Sequence, residues 1–304
     1  MAIPEKQLET WANVGAEKAA ESTYASIKAA TDAAKSTALK EFSYDVYLQG
    51  SYRNSTSIYG DMDVDVVVEA TDFFYKDVDD LTESQKAEFE RQFPGSPSHS
   101  FNDFRSAVER TLTDYYGSSL ITLRNKCIQV TGKSGRLDAD VVPCVRYRDF
   151  RKDESARLPT PKEGITFWTR NAARQVINYP RQHYDNGVVM NKNTSYRFKP
   201  TVRIFKNLRN HCSANNLIAD GVAPSYFVSC LIYNAPTDLF KPRHEDTVVA
   251  VLKWMNGLTD EQWGKLVAQC GLLWLCRDKP DYWPIANAKA FKTAAIKAWN
   301  DWGK

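Results

Sequence analysis

Apolar and polar positions change period several times along the chain, and each change marks an element. From Pro4 to about Lys40 an alanine-rich stretch carries Leu8, Trp11, Val14, Tyr24 and Ile27 at helical spacings, with proline suited to a first turn. One long helix is predicted there. YDVYLQ at 44–49 reads as a strand, GSYRNSTSIYG at 50–60 as a turn with a short helix, and DVDVVVEA at 63–70 as a second strand. Helical spacing returns between 80 and 117, broken at 94–100 by PGSPSHS, whose two prolines and glycine end one helix before the next begins. NKCIQVT and RLDADVVPCV flank GKSG as a β-hairpin. Beyond residue 150 a basic, proline-containing connector leads into mostly helical sequence. In KPTVRIFKNLRNHC, Val202, Phe205, Leu208 and Cys212 share one face.

The strand pattern raises a question of charge. Asp63 and Asp65 project from one face of a strand whose Val64, Val66 and Val68 project from the other, and Asp138 and Asp140 repeat the arrangement on the later strand. Like charges brought close repel, and a hard divalent cation relieves that repulsion, which makes Mg²⁺ the candidate ligand. Gly50 permits a tight turn whose backbone N–H groups can approach a phosphate, and Ser51 adds a hydroxyl.

Composition narrows the classes. With 43% hydrophobic and 12% aromatic residues in 304, a folded core is expected rather than disorder. The longest apolar runs are too short to span a bilayer and the first residues lack an apolar signal core, so a cytoplasmic protein without membrane partners is expected. Six cysteines show no C-x2-C pair, which argues against structural zinc, and disulfides are unsupported. Residues 1–150 hold 17 basic and 24 acidic side chains against 23 and 13 in the remainder, with 13 basic and 4 acidic in 151–210. Such polarity suits a metal and a polyphosphate, although two solvated faces of opposite bias would look the same.

Taken in order, GSYRN, DVDVVV and DADVVPC resemble the polymerase-β-like nucleotidyltransferase pattern. With the helix before the first strand, RFKPTVRIFKNLRN and APSYFVSCLIYNAP, nearly the whole chain resembles the cGAS/DncV-like nucleotidyltransferases, most nearly the bacterial clade E enzymes of CBASS anti-phage systems. The resemblance implies an α+β fold. Residues 1–160 would form a nucleotidyltransferase core with a long N-terminal spine helix, and 161–304 a helical lobe completing the nucleotide cleft. It implies that Asp63, Asp65 and Asp140 bind two Mg²⁺ ions, with Mn²⁺ as a substitute, and that Asp140 activates the attacking hydroxyl; Asp138 shares its face and is the alternative. Asp61 is taken as a solvated turn residue. Gly50 and Ser51 would grip the donor phosphate, Arg203, Lys206 and Ser225 the triphosphate, and Tyr226 would stack on a base. Each has a plainer reading: a basic helix face for Arg203 and Lys206, core packing for Tyr226.

Asn178, in INYPRQHY, falls where the resembling clade reads a base edge. Its amide offers the donor and acceptor that pair with a uracil O4 and N3–H, unless it caps the following helix instead. Asn207 is a second candidate. The expected activity is therefore synthesis of a cyclic dinucleotide containing UMP, from UTP and ATP, by a monomer needing no DNA activator and subject to neighbouring regulatory proteins. The same core also serves enzymes that tail RNA or modify a protein or small molecule, and a catalytically silent nucleotide-binding module is the remaining alternative.

Overall fold

The computed structural model describes residues 2–15, 17–35, 37–60, 63–133, 135–277 and 282–304. The chain divides into two compact units, neither contiguous: 18–49 with 62–180, and 1–17 with 50–61 and 181–304. The expected boundary near residue 160 is therefore corrected. The second unit takes the amino-terminal helix and the Gly-Ser turn as well as the carboxyl-terminal half, because the short segments bury their side chains among its helices.

The sheet unit is built on β1 (Tyr44–Leu48), β2 (Asp63–Asp77), β3 (Ile121–Leu123), β4 (Ile128–Val130), β5 (Asp138–Asp149), β6 (Lys162–Trp168) and β7 (Gln175–Asn178). Their order is β1-β2-β5-β4-β3, with β6 on the far part of β5 and β7 on β6. β2 and β5 are parallel; the other pairs are antiparallel. A parallel pair requires a crossover, supplied here by α4 (Glu83–Gln92) and α5 (Phe101–Tyr116). Each begins at a capping box, Thr82 with Gln85 and Ser100 with Asp103, which ends the proline-rich break between them. Val64, Val66, Val68, Ala139 and Val141 are buried with Phe104, Val108 and Leu112 of α5.

The predicted single opening helix is two helices, α1 (Glu5–Ala12) and α2 (Glu17–Ala33). The break has a steric cause: the Gly15 N–H donates to the Ser57 carbonyl at 3.1 Å, and a Cβ on Gly15 would lie 2.5 Å from the Ile58 oxygen. No longer side chain fits that approach. α2 is pinned to the sheet through Thr23, whose hydroxyl accepts from the Leu137 N–H at 2.9 Å, just before β5 begins.

The helical unit comprises α1, α3 (Gly50–Arg53), α6 (Pro180–Asn193), α7 (Phe198–Ala214), α8 (Ser225–Tyr233), α9 (His244–Gly257), α10 (Asp260–Gly264) and α11 (Ile285–Asn300). On α7 the predicted face is buried as read: Val202, Phe205, Leu208 and Cys212 are wholly inaccessible. Leu8 of α1 is buried as well, and Glu5 accepts from the His244 and Glu245 N–H groups at 2.8 and 2.7 Å, placing a carboxylate on the orphan donors of α9. All six cysteines are free thiols. Among the described residues no helix is long and apolar enough to cross a membrane.

Candidate active site

The parallel register of β2 and β5 decides the carboxylate geometry. Asp63 is paired with Asp138 and Asp65 with Asp140, while the intervening Val64 is paired with Ala139. Paired residues on neighbouring strands share a face about 4.8 Å apart, so all four acids share the face opposite the buried valines. Asp138 and Asp140 then part company. One Asp138 oxygen accepts the Gly132 N–H at 2.7 Å and the other faces the Gln129 amide at 3.5 Å, tying that side chain into its hairpin. Asp140 lies opposite Gln129 and beside the Cys127 thiol.

Cys127 is the residue that reading the sequence missed. Burial pushes its thiol up to about 12, and the carboxylates of Asp140 and Asp65 push the same way. Cys127 therefore shares the electrostatic surroundings of the two acids and bonds Asp140. The signal was available: counting back in twos from Gln129, which faces Asp140, puts residue 127 on the carboxylate face.

A set of carboxylates on one face matches the oxygen ligands that hard divalent cations take, and the register supplies Asp63, Asp65 and Asp140 for it. Among the described residues no three His, Cys, Asp or Glu side chains are closed up around one point. Strand pairing, rather than a finished coordination sphere, is what gathers them. Asp61 lies outside the described residues. Asn178 ends β7 opposite Ile165 in the same sheet unit, half-buried, two residues before α6 begins at Pro180. Gly164 makes room for it: a Cβ there would lie 2.7 Å from the Asn178 carbonyl oxygen.

In the helical unit, Gly50 has φ +67, a conformation glycine adopts freely, and its carbonyl accepts both the Asn54 side-chain amide at 2.7 Å and the Asn54 backbone N–H at 3.2 Å. In a trans peptide the next N–H points opposite the carbonyl. Asn54 thus turns the Ser51 N–H away from the helix interior. A Gly-x-x-x-Asn spacing was its sequence signal.

Arg203 and Lys206 are buried rather than on an open basic face. The Arg203 guanidinium donates to the Ala12 and Ser55 carbonyls, each at 2.5 Å, and Lys206 donates to Thr56 O at 2.8 Å. Burial lowers the Arg203 pKa to about 10. Both cations therefore brace the segment following the Gly50–Ser51 turn. Asn207, the second base-reading candidate, donates to the Trp11 and Arg203 carbonyls at 3.1 Å each. Ser225 opens α8 and its hydroxyl accepts from Arg209 at 3.2 Å. Tyr226 as a residue is 39% exposed while its hydroxyl end is buried against Cys230, and its ring stacks on His183 at 5.3 Å and Trp283 at 5.9 Å.

An antiparallel-edged mixed sheet, with acids matched across its parallel strands and a separate glycine-serine turn, defines the nucleotidyltransferase class. Residues 185–300 match the model of the cGAS/DncV-like nucleotidyltransferase C-terminal helical domain. The chain is 40% identical over 307 residues to the cyclic UMP-AMP synthase of Rhodothermus marinus, covering 100% of both proteins. It is 32% identical to the cyclic nucleotide synthase CdnE01 of Staphylococcus haemolyticus, over 99% of this chain and 100% of that one. The solved structure of the Rhodothermus marinus CdnE c-UMP-AMP synthase with Apcpp and Upnpp superimposes with a TM-score of 0.84 at 37% identity, covering 99% of this chain and 98% of that one. The chain belongs to the cGAS/DncV-like nucleotidyltransferases, a family of enzymes that use divalent metal ions.

Proposed function

We propose that this enzyme joins two nucleoside triphosphates into a cyclic dinucleotide containing UMP, with UTP and ATP as substrates, and that it serves anti-phage defence. The single observation that carries the reading is the β2/β5 register, which sets Asp65 beside Asp140 with Asp63 one step along the same face. Full-length similarity to a protein named cyclic UMP-AMP synthase supports the choice of product.

Asp63, Asp65 and Asp140 would hold two Mg²⁺ ions, which when bound acidify a ribose hydroxyl and neutralise charge on the phosphates. An Asp140 carboxylate oxygen accepts the proton of the attacking hydroxyl. The Ser51 N–H and hydroxyl hold phosphate oxygens, with the turn braced by Asn54, Arg203 and Lys206. Ser225 adds a hydroxyl to the triphosphate, and Tyr226 offers its exposed ring to a base. One round forms a phosphodiester and releases pyrophosphate; a second round on the linear product closes the ring. Asn178 reads the uracil edge through its amide.

Incubation with Mg²⁺ and the four NTPs is expected to give a phosphatase-resistant product labelled from UTP and ATP. An Asp63→Ala, Asp65→Ala double variant that still makes it would overturn the site, and a linear or RNA-linked product would favour a tailing or modifying enzyme. With Asn178→Ser, purine incorporation should rise relative to UMP several-fold. Unchanged nucleotide usage would remove Asn178 from base selection.

A further inference from the structure

We infer that Cys127 is a positioning residue for the reaction: its thiol holds the Asp140 carboxylate in the orientation in which that group takes a metal ion and a proton. The inference rests on the reading of Asp140 as ligand and proton acceptor. It gives that acid a partner outside the three-aspartate set.

The placement follows from strand register. β4 and β5 are antiparallel with Gln129 opposite Asp140 and Ile128 opposite Val141, so continuing the register carries Cys127 two residues beyond Gln129 on the same face. Each β5 acid finds its partner on the diagonal. Gln129 turns its amide to Asp138 at 3.5 Å, and Cys127 donates its thiol proton to Asp140. The repeated diagonal has a cause: the Arg124 guanidinium takes the Gln129 side-chain oxygen, with Nε at 3.2 Å and Nη2 at 2.8 Å, so the amide nitrogen is the end that faces Asp138. Asp140 meets the sulfur instead.

The sulfur is held in place by the turn that bears it. The Arg124 N–H donates to the Cys127 carbonyl at 3.0 Å, closing the connection between β3 and β4. At its tip, Asn125 accepts the Arg170 N–H on its backbone oxygen at 3.0 Å and the Asn171 N–H on its side-chain oxygen at 3.1 Å, and Arg170 is itself paired with Glu109 of α5. A donor so anchored fixes the carboxylate it bonds. Its chemistry also suits a proton acceptor. Asp138 bonds a backbone N–H at 2.7 Å, a strong donor that occupies its lone pairs, whereas a thiol is a weak donor that orients a carboxylate and leaves it basic. A methyl group in place of the sulfur would fill space and orient nothing.

The test uses the full-length protein and Mn²⁺ alone as probe, its binding followed by electron paramagnetic resonance, beside steady-state rates with UTP and ATP. Cys127→Ala should weaken Mn²⁺ binding and lower kcat, each about 10-fold, with the KM for NTPs unchanged. Cys127→Val, which fills the space without a donor, should behave as Cys127→Ala does, whereas Cys127→Ser, which keeps a donor, should restore most of both; matching melting temperatures exclude misfolding. On an Asp140→Asn background, Cys127→Ala should cost nothing further in either measurement, because the group it orients is already altered. Wild-type Mn²⁺ affinity and kcat in Cys127→Ala and Cys127→Val would overturn the inference. Equal losses in Cys127→Ser would also overturn it, by making the residue a packing element, as would a further loss on the Asp140→Asn background. Mn²⁺ binding that depends on Cys127, in a protein that makes no cyclic product, would sink the proposed reaction and leave the tether standing; wild-type protein that binds no Mn²⁺ would sink both.

Discussion

Asp138 and Asp140 show how neighbouring identical side chains acquire different work. Both face the same way on β5, so the alternation of the sequence left both as candidates; the difference is the Gly132 N–H, which only Asp138 accepts. Asp140→Asn is expected to lower product formation at least 100-fold, since the proton acceptance and metal binding proposed for it both need its charge. Asp138→Ala should instead cost about 1–2 kcal/mol of stability through the orphaned hairpin donor, and denaturant melts beside rate measurements would separate the two effects. His183 is a second residue whose behaviour the sequence could not announce. Burial lowers its pKa to about 4, and its Nδ1 is buried without a hydrogen-bond partner. From pH 6.5 down to 4 the unfolded chain takes up a proton that the folded chain refuses, so this residue makes stability fall on acidification. His183→Phe should flatten the decline of the melting temperature between pH 7 and 5. An equally steep decline in that variant would assign it to other groups.

At the level of elements, local pattern was most legible where one face is buried and the other is not. The burial alternation of β2 and β5 and the apolar face of α7 follow the sequence closely. Short strands were less visible: β3 and β7 span 3 and 4 residues, too few for a period to declare itself. The opening helix was read as continuous because alanine favours helix on both sides of the break, while the cause of the break lies some forty residues downstream at Ile58. The burial of Arg203 and Lys206 was illegible for the same reason, since their carbonyl partners on Ala12, Ser55 and Thr56 are set by tertiary packing. Glycines record such approaches. A Cβ on Gly187 would lie 2.4 Å from the Gln269 amide nitrogen, which donates to the His183 carbonyl at 2.7 Å. Gly187→Ala should destabilise the protein by about 2 kcal/mol, read as a lower denaturation midpoint. An unchanged midpoint would mean that Gln269 has somewhere else to go.

The whole molecule is the scale at which the sequence misled most. A boundary near residue 160 assumed that neighbours along the chain stay neighbours in space, yet the helical unit draws on three separate stretches. Fragments 1–160 and 161–304, expressed alone, should each lack a cooperative melt, because each strands residues belonging to the other unit's core. A sharp transition in either would show that the unit tolerates its missing pieces. The acidic face of the sheet has a global consequence too: Asp65→Asn should raise the melting temperature without added metal by removing like-charge repulsion, and should abolish the further rise that Mg²⁺ gives the wild type. Failure of Mg²⁺ to raise it in the wild type would leave the acids without a cation to hold.

The threading of residues 1–17 and 50–61 into the helical unit also sets an order of events during synthesis on the ribosome. The sheet unit is complete once residue 180 has emerged, whereas the two early stretches must wait, unaccompanied, for helices translated last. A growing chain is therefore expected to carry Leu8 and Ile58 uncovered until residues 181–304 have emerged, and the Gly50–Ser51 turn to acquire its shape only then. Nucleotide turnover is therefore expected only from chains in which residues 181–304 have folded onto these two early stretches.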